Sequence, residues 1–361
     1  MGKPRPLSPR RGTAGATPTD QTRHRDRERP WPSVSVVIPL HNDAASIAEA
    51  VDSCTSQIYP GRLEVIIAEG ASADNSRSAA AALARQNDLV HVVDNPAGTT
   101  AAGLNRAIQA SSGSIIVRCD ARSVLPPGYI RMAVEVLEET GAANVGGMQV
   151  PAGETRLQRA IALAMASRLG TGDARFRIGG EPGPTDTVYL GVFRKDSIEA
   201  VGLFDERFLR NQDYELNWRI RSAGGMVFFD PRLRVGYLPR GSFTELARQY
   251  RDYGRWKRRM LRVHPQSIRL RQLAPPALVL GLACSGLLAL TPWRTIGAIL
   301  PTVYAGTVVL ATVLSWTRSR DGTAFILPAV YPTMHLAWGL GFLFGRADPR
   351  LAGPEESPGQ E

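Results

Sequence analysis

The last third of the chain limits the possible folds more than any other feature. Residues 274–345 are nearly devoid of charge, and three apolar stretches within them, at roughly 274–291, 295–316 and 324–345, approach the length that spans a bilayer core. Three such stretches in succession argue against the buried helices of a soluble domain. We therefore expect a membrane region of about three transmembrane helices.

The positions of the basic residues favour a membrane over a nucleic acid as the partner. The residues behind the net charge of +10 sit in the N-terminal arm and in a belt from Arg248 to Arg271, directly before the apolar region. Positive charge beside membrane spans is what the positive-inside rule and anionic lipid headgroups select. With Arg318 and Arg320, this pattern predicts a multi-pass protein of the cell membrane whose domain before the apolar region is cytosolic.

Both ends of the chain are expected to be disordered. Residues 1–32 are rich in Arg, Pro, Thr and Gly and lack the apolar core of a signal peptide, so we interpret them as a basic arm attracted to lipid. Residues 346–361 are expected to form a disordered tail. The cysteines have no paired spacing, which argues against a disulfide framework or a zinc site; they are Cys54, Cys119 and Cys284.

Short apolar runs alternate with helix-length segments between residues 33 and 241. The β-branched composition of these runs predicts buried strands at 34–39, 63–68, 90–94 and 114–119. Strands alternating with helices at this spacing specify a parallel sheet covered on both faces, so the predicted fold class is α/β. Later strands are predicted at 143–150, where Gly146-Gly147 indicates a bulge, and at 188–193, 226–230 and 234–238.

Polar residues stand at the carboxyl ends of the first four predicted strands, where parallel sheets bind their ligands. They are His41, Glu69, Asn95 and Asp120. This coincidence indicates one site rather than scattered helix caps.

The stretch from Arg210 to Arg219 places two carboxylates where a helix begins. Apolar residues recur at helical spacing until Gly224 ends the helix, so Asp213 and Glu215 fall in the first turn. Free backbone N–H groups stabilise carboxylates there, and both residues could be simple helix-start residues. The strand-end motifs upstream favour catalysis for Asp213 and leave Glu215 open.

Over about residues 33–264 the chain resembles the family 2 glycosyltransferases, which have the nucleotide-sugar-binding fold called GT-A. Four motifs in order carry the resemblance: Ser35-Val36-Val37-Ile38-Pro39, Glu69-Gly70-Ala71-Ser72-Ala73-Asp74, Asp120, and Gln212-Asp213. Within the family, Val145-Gly146-Gly147, Asp186-Thr187-Val188-Tyr189 and Gln249-Tyr250 are similar to the succinoglycan glucosyltransferase (ExoA-type) branch.

This resemblance implies an inverting transfer of a hexose, glucose in that branch, from a UDP-sugar to a polyprenyl-linked saccharide in exopolysaccharide or cell-envelope glycan synthesis. It implies that Asp213 is the catalytic base and that Asp120 holds Mg²⁺ or Mn²⁺ against the leaving diphosphate. Nucleotide-sugar contacts are expected from Pro39, His41, Glu69, Ser72, Asp120 and Arg122. Acceptor-binding or orienting roles are expected from Gln212, Glu215, Arg255 and Trp256.

Two departures from the family pattern keep alternatives open. Arg122 stands in place of the second metal-motif Asp, so either the cation rests mainly on phosphate oxygens and water or Arg122 itself neutralises the diphosphate. Glu69 replaces the usual Asp and lengthens its reach. A catalytically silent nucleotide-sugar-binding or scaffold relative is the alternative function. A dinucleotide oxidoreductase is disfavoured, because the first strand turn lacks the glycine fingerprint.

Two further segments lie between the predicted GT-A domain, residues 33–241, and the membrane region. Residues 170–186 form a loop with Arg175, Arg177 and Glu181, whose length favours a mobile substrate lid over a bare linker. Within the basic segment 242–273, a helix is predicted at 243–263. It is either an interfacial helix that snorkels its arginines or an acceptor-lipid contact through Arg255 and Trp256.

Overall fold

One mixed sheet organises the first two thirds of the chain in the computed structural model, which describes residues 30–345. Disorder is predicted for residues 1–32 and 346–361, of which residues 1–29 and 346–361 lie outside the described range. At residues 31–32 the prediction is wrong, because Trp31 packs edge-on to Tyr59 with ring centroids 5.5 Å apart and the Pro32 carbonyl oxygen accepts from the Tyr59 hydroxyl at 2.6 Å. Strand order across the sheet is β3-β2-β1-β4-β7-β5-β8-β6. The strands are β1 Val34–Leu40, β2 Leu63–Glu69, β3 Val90–Asp94, β4 Ile115–Arg118, β5 Asn144–Pro151, β6 Gly183–Pro184, β7 Tyr189–Arg194 and β8 Val227–Tyr237.

The sheet is mostly parallel, as predicted. β1 pairs in parallel with β2 and β4, β2 with β3, and β5 with β8. β7 runs antiparallel between β4 and β5, and the short β6 runs antiparallel to β8 at the sheet edge. The α/β fold class is therefore confirmed, with β7 and β6 as the reversed strands.

Helices cover both faces of this sheet because its strands alternate their apolar side chains between the two faces. In β1, Val36 and Ile38 belong to one buried cluster and Val37 to the other. The first face carries α1 Ile47–Thr55, α2 Ser76–Gln86 and α4 Tyr129–Thr140, and the second carries α3 Thr100–Ala110, α8 Lys195–Ala200 and α9 Gln212–Ser222. Helix α5 is Arg156–Met165.

The two late strands predicted at 226–230 and 234–238 are wrong, because they form the single strand β8. Its register on β5 shifts between Gly146 and Met148, which pair with Phe229 and Arg234. At the intervening glycine, Gly147, an added Cβ would lie 1.7 Å from the Leu233 carbonyl oxygen. The predicted irregularity at the double glycine is thus confirmed, and it explains how one strand carries two apolar runs.

Residues 170–186 contain more regular structure than the predicted loop. The single-turn helix α6, Arg168–Thr171, extends into the start of this segment. A second single-turn helix, α7 Arg175–Ile178, and the edge strand β6 lie within it. Arg271 donates to Asp173 at 2.6 Å and to Asp186 at 2.5 Å, which ties both ends of the segment to the linker before the apolar helices. That residues 170–186 move as a substrate lid stays a prediction.

The apolar region forms three helices that are long and apolar enough to cross a membrane. These stretches are Leu270–Ala289, Arg294–Ser319 and Gly322–Phe344, with mean hydropathies of 1.6, 1.8 and 1.2, and they contain α11 Ala274–Ala289, α12 Arg294–Ser319 and α13 Leu327–Phe344.

Helix α10, Phe243–Val263, has the predicted bounds and packs along α13. A Cβ added at Gly254 would lie 2.0 Å from the Trp338 carbonyl oxygen, and one at Gly341 would lie 2.0 Å from that of Arg251. Glycines therefore let the backbones of α10 and α13 touch, which joins the sheet domain to the apolar helices.

Candidate active site

The site is centred on a buried arginine that joins two carboxylates. Arg118, the last residue of β4, donates from Nε to Asp120 Oδ1 at 2.8 Å and from Nη1 to Asp213 Oδ1 in the first turn of α9. The Arg118 side chain is 6% exposed, whereas those of Asp120 and Asp213 are 36% and 41% exposed. One guanidinium thus holds two carboxylates at the solvent edge of the sheet.

Three effects act on the pKa of Asp213. Loss of water around the carboxyl raises the pKa, the guanidinium of Arg118 opposes this rise, and the negative charge of Asp120 adds to it. The net direction is upward from the ordinary value of an aspartate. A carboxylate with a raised pKa is a stronger base for a hydroxyl proton, which suits the role predicted for Asp213.

Sequence reasoning missed Arg118, because the residue lies inside a predicted buried strand. A charge in such a strand was the available signal, since a buried arginine needs a partner. Its position two residues before Asp120 places both side chains on the same face of the chain. The pairing with Asp213, 95 residues later, could be seen only in the fold.

Asp120 offers one carboxylate to a cation. Among residues 30–345, no group of three or more His, Cys, Asp or Glu side chains could hold a metal ion. Oδ1 of Asp120 accepts from Arg118, and no side chain in the described part of the chain bonds Oδ2. Mg²⁺ is commonly bound by one or two carboxylates with substrate phosphates and water. The residues therefore fit a cation that binds together with a diphosphate, and they do not form a closed protein cage.

Arg122 lies at the same edge and is already paired. Its Nε donates to Oδ1 of Asp43, which follows β1, and the two side chains are 66% and 19% exposed. Asp43 thereby holds a cationic group beside the end of β4. A diphosphate bound here would compete with Asp43 for this guanidinium.

Glu69 is the buried centre of the loop that follows β2. Its side chain is 1% exposed, Oε1 accepts from the Ser72 backbone N–H at 2.8 Å, and Oε2 accepts from Arg77 Nε at 2.9 Å. The neighbouring His41 joins this loop through Nδ1, 2.7 Å from the Gly70 carbonyl oxygen. Glu69 as placed holds the loop, and the predicted contact between its carboxylate and the nucleoside is not supported by this burial.

The remaining strand-end residues lie close to this loop. The backbone N–H of Asn42 donates to Ser72 Oγ at 3.0 Å, which links the ends of β1 and β2. Pro39 is half-buried within β1. Asn95 is 2% exposed and donates from Nδ2 to the Thr99 carbonyl oxygen at 3.0 Å, so it supports the start of α3. Structural hydrogen bonds thus link the ends of β1, β2 and β3, and the shared ligand site predicted there stays a prediction.

The other side of α9 carries Glu215, which is 1% exposed. Its carboxylate accepts from Arg219 at 2.7 and 2.6 Å and lies 2.9 Å from Nε2 of His264, at the end of α10. Arg219 also donates to the Leu203 carbonyl oxygen at 2.6 Å. Because Glu215 is sealed by these partners, it cannot touch an acceptor as placed. Its orienting role, and that of the buried Gln212, stay predictions.

Trp256 and Arg255 have different environments on α10. Trp256 is 3% exposed and packs with Phe208 and Met260, so the predicted direct contact of Trp256 with an acceptor is not available in this arrangement. Arg255 is half-buried, lies over the Trp256 ring at 5.8 Å and approaches Asp252 at 3.7 Å. Trp256 therefore packs α10 against Phe208, in the segment that precedes α9.

Comparison with known sequences agrees with this architecture. Residues 35–202 match glycosyl transferase family 2. The chain is 31% identical over 310 residues to the succinoglycan biosynthesis protein ExoA of Rhizobium meliloti, which covers 85% of this chain and 93% of that protein. It is 23% identical over 321 residues, 86% of this chain and 96% of the relative, to the dolichyl N-acetyl-alpha-D-glucosaminyl phosphate 3-beta-D-2,3-diacetamido-2,3-dideoxy-beta-D-glucuronosyltransferase of Methanococcus voltae.

A solved structure has the same fold over most of its length. The mannosyltransferase PcManGT from Pyrobaculum calidifontis, solved in complex with GDP-Man and Mn²⁺, superposes with a TM-score of 0.60 and covers 91% of this chain and 94% of that one. The sequence identity is 19%, so the likeness establishes the GT-A fold and nothing about the sugar.

Proposed function

This chain belongs to glycosyl transferase family 2, and from that premise we propose that it transfers a hexose from a UDP-sugar to a polyprenyl-linked saccharide at a membrane. Glucose is the proposed sugar, because the relative from Rhizobium meliloti acts in succinoglycan biosynthesis and the branch resemblance implies glucose. The relative from Methanococcus voltae is named for a dolichyl-phosphate-linked acceptor, which supports a lipid-linked acceptor for this chain.

The observation that carries the proposal is the linked set Asp120, Arg118 and Asp213. In this proposal Asp213 accepts the proton of the attacking acceptor hydroxyl, and direct displacement at the anomeric carbon then inverts its configuration. Arg118 positions both carboxylates through its two ion pairs. Asp120 would hold the divalent cation, which supplies positive charge against the leaving diphosphate.

The membrane setting is supported by the apolar helices and by the basic belt that precedes them. Three helices are long and apolar enough to cross a membrane, and α10 packs against the last of them. Basic residues before the first of these helices favour a catalytic domain on the cytosolic side of the cell membrane. The same basic residues are assigned to lipid contact, and no nucleic-acid partner is proposed.

A donor and acceptor panel tests this function. Membranes that contain the full chain are incubated with labelled nucleotide-sugars, with and without polyprenyl-linked saccharides, and label is followed into the lipid fraction. UDP-glucose is expected to label the lipid only when acceptor is present, and NMR of the product should show an inverted anomeric centre. A folded protein that binds UDP yet labels no acceptor from any donor would favour the silent nucleotide-sugar-binding or scaffold alternative.

Removal of divalent cations tests the role of Asp120. We expect transfer to stop in excess chelator and to return when Mg²⁺ or Mn²⁺ is added, because the leaving diphosphate then regains its counter-charge. Full activity in excess chelator would contradict the requirement for a divalent cation. Arg122 would then be the group that neutralises the diphosphate.

A further inference from the structure

Arg177, in the single-turn helix α7, is a buried cation without an anionic partner. The residue is 9% exposed, and its Nη1 has no hydrogen-bond partner among residues 30–345. No ion pair within the described residues involves Arg177. Its guanidinium lies over the rings of Phe176 and Tyr237, at 5.2 and 5.9 Å from their centroids. Aromatic rings offset only part of the cost of burying a guanidinium, so a missing anion is the natural complement.

Two tyrosine hydroxyls near Arg177 are able to donate hydrogen bonds. Gln249 Nε2 donates to the hydroxyl oxygens of Tyr237 and Tyr253 at 2.8 and 2.9 Å. Because these oxygens accept from the amide, their own O–H groups can donate elsewhere, and no described residue receives them. Tyr250 lies beside Tyr253, with ring centroids 5.5 Å apart. We call this set, Arg177 with Tyr237, Gln249, Tyr250 and Tyr253, the tyrosine site.

Tyr237 and Tyr250 of the tyrosine site stay protonated near neutral pH. Burial raises the pKa of Tyr237, and the neighbouring Tyr253 adds to the rise, whereas the positive charges of Arg177 and Arg240 oppose it. Burial likewise raises the pKa of Tyr250. The site therefore presents a guanidinium and neutral hydroxyl donors, which together suit a group with several anionic oxygens.

The tyrosine site lies where the sheet domain meets the apolar helices. Tyr237 ends β8, while Tyr250 and Tyr253 belong to α10, and all three join a hydrophobic cluster with Met334 and Trp338 of α13. Donor-binding groups, in contrast, lie at the ends of β1, β2 and β4. An anion at the tyrosine site would thus sit beside the candidate membrane spans, where the head of a lipid would be found.

We propose that the tyrosine site binds the phosphate of the lipid-linked acceptor, a polyprenyl phosphate or diphosphate, through Arg177, Tyr237 and Tyr253. This inference rests on the proposed function and adds the place where the acceptor is held. A guanidinium forms paired N–H contacts with phosphate oxygens, and the two phenols can supply further donors. It also gives Arg177 of the predicted lid a specific ligand.

Binding of a long-chain polyprenyl phosphate to the full chain in phosphatidylcholine nanodiscs tests the inference. We expect Arg177→Gln to weaken this binding about tenfold or more, because a charge-assisted contact is lost. Arg168→Gln is the matched control, since Arg168 is exposed and lies nine residues upstream, and its binding should change less than about twofold. Arg177→Gln and the natural chain should bind polyprenol, which lacks the phosphate, with equal affinity. Unchanged phosphate binding in Arg177→Gln would overturn the proposal.

A second substitution separates binding from folding. Arg177→Met removes a buried unpaired charge, so the thermal midpoint of the ligand-free protein should be equal or higher while polyprenyl phosphate binding is lost. A lower midpoint together with lost binding in both variants would assign Arg177 a structural role and reject the proposal. An acceptor KM that rises in Arg177→Gln, with the donor KM unchanged, would agree with acceptor binding.

Competing anions identify the source of the phosphate. Phosphatidylglycerol at the same mole fraction should displace the polyprenyl phosphate poorly, and inorganic phosphate should displace it poorly too. Equal displacement by phosphatidylglycerol would overturn the acceptor assignment in favour of a bilayer headgroup. If the natural chain transfers sugar to a polyprenyl-linked acceptor while Arg177→Gln binds and uses it normally, this inference fails and the proposed function stands. If the natural chain transfers to no such acceptor, the proposed function itself fails.

Discussion

The two sides of helix α9 carry carboxylates with opposite surroundings. Asp213 is 41% exposed and shares the guanidinium of Arg118 with Asp120. Glu215, two residues later, is 1% exposed and is enclosed by Arg219 and His264. Both were predicted at a helix start, and both are in the first turn.

Helix geometry explains this difference. With 3.6 residues per turn, side chains two positions apart point about 200° apart, so they cannot share one environment. α9 lies between the sheet edge and α10, and each carboxylate meets a different neighbour. The acidic pair therefore combines a solvent-accessible carboxylate, Asp213, which suits chemistry, with a buried carboxylate, Glu215, which suits a structural role.

Asp213→Asn should produce the largest loss of activity. The amide keeps the shape of the side chain but cannot accept the acceptor proton, so kcat should fall about 10²- to 10⁴-fold. UDP-sugar binding, measured by titration calorimetry, should stay close to that of the natural chain. Unchanged transfer would remove Asp213 as the base and end the contrast between the two sides of α9.

Glu215→Gln should act on stability instead of the chemical step. It leaves the charge of Arg219 without its buried partner, which costs about 3 kcal/mol of unfolding free energy. Thermal or urea unfolding of the purified chain measures this loss, with Glu199→Gln, an exposed glutamate of α8, as the control. A stable Glu215→Gln protein with a kcat as low as that of Asp213→Asn would instead give both carboxylates a catalytic role.

Arg118→Gln should change the pH dependence of transfer. Asp213 must be ionised to act as a base, so activity falls as pH drops through its pKa. Arg118 lowers that pKa, and its removal leaves the opposing effects of desolvation and Asp120 in place. The acidic limb of kcat/KM should therefore move to higher pH, by about one unit or more. An acidic limb that does not move would show that Arg118 does not tune Asp213.

Arg122→Gln should have the smallest effect on stability. The Arg122 side chain is 66% exposed, and exposed ion pairs contribute about 0–1 kcal/mol, so the thermal midpoint should hardly change. If the guanidinium contacts the diphosphate, the donor KM rises while the acceptor KM does not. An unchanged donor KM would show that Arg122 pairs with Asp43 and does not contact the donor. The exposed Arg122 pair would then have no part in transfer, in contrast to the ion pairs of the buried Arg118.

Much of the architecture could be predicted because it depends on short-range patterns. The strand β1, the helix α10 and the order of apolar helices follow from local periodicity and length. The two predicted late strands became β8, because pairing with β5 carries one strand across a register shift that begins at Gly146. That outcome depends on a neighbour about 80 residues away in sequence.

The sequence alone determined the family, the α/β fold class, the apolar C-terminal helices and the identity of Asp120 and Asp213 as site candidates. These features follow from residue type and from the spacing of residues along the chain. Only the tertiary structure decided that Arg118 joins the two aspartates, that Glu69, Glu215 and Trp256 are buried, and that Arg177 lies unpaired among tyrosines. The physical reason is that burial and pairing depend on residues brought together from distant parts of the chain, and periodicity carries no record of those partners.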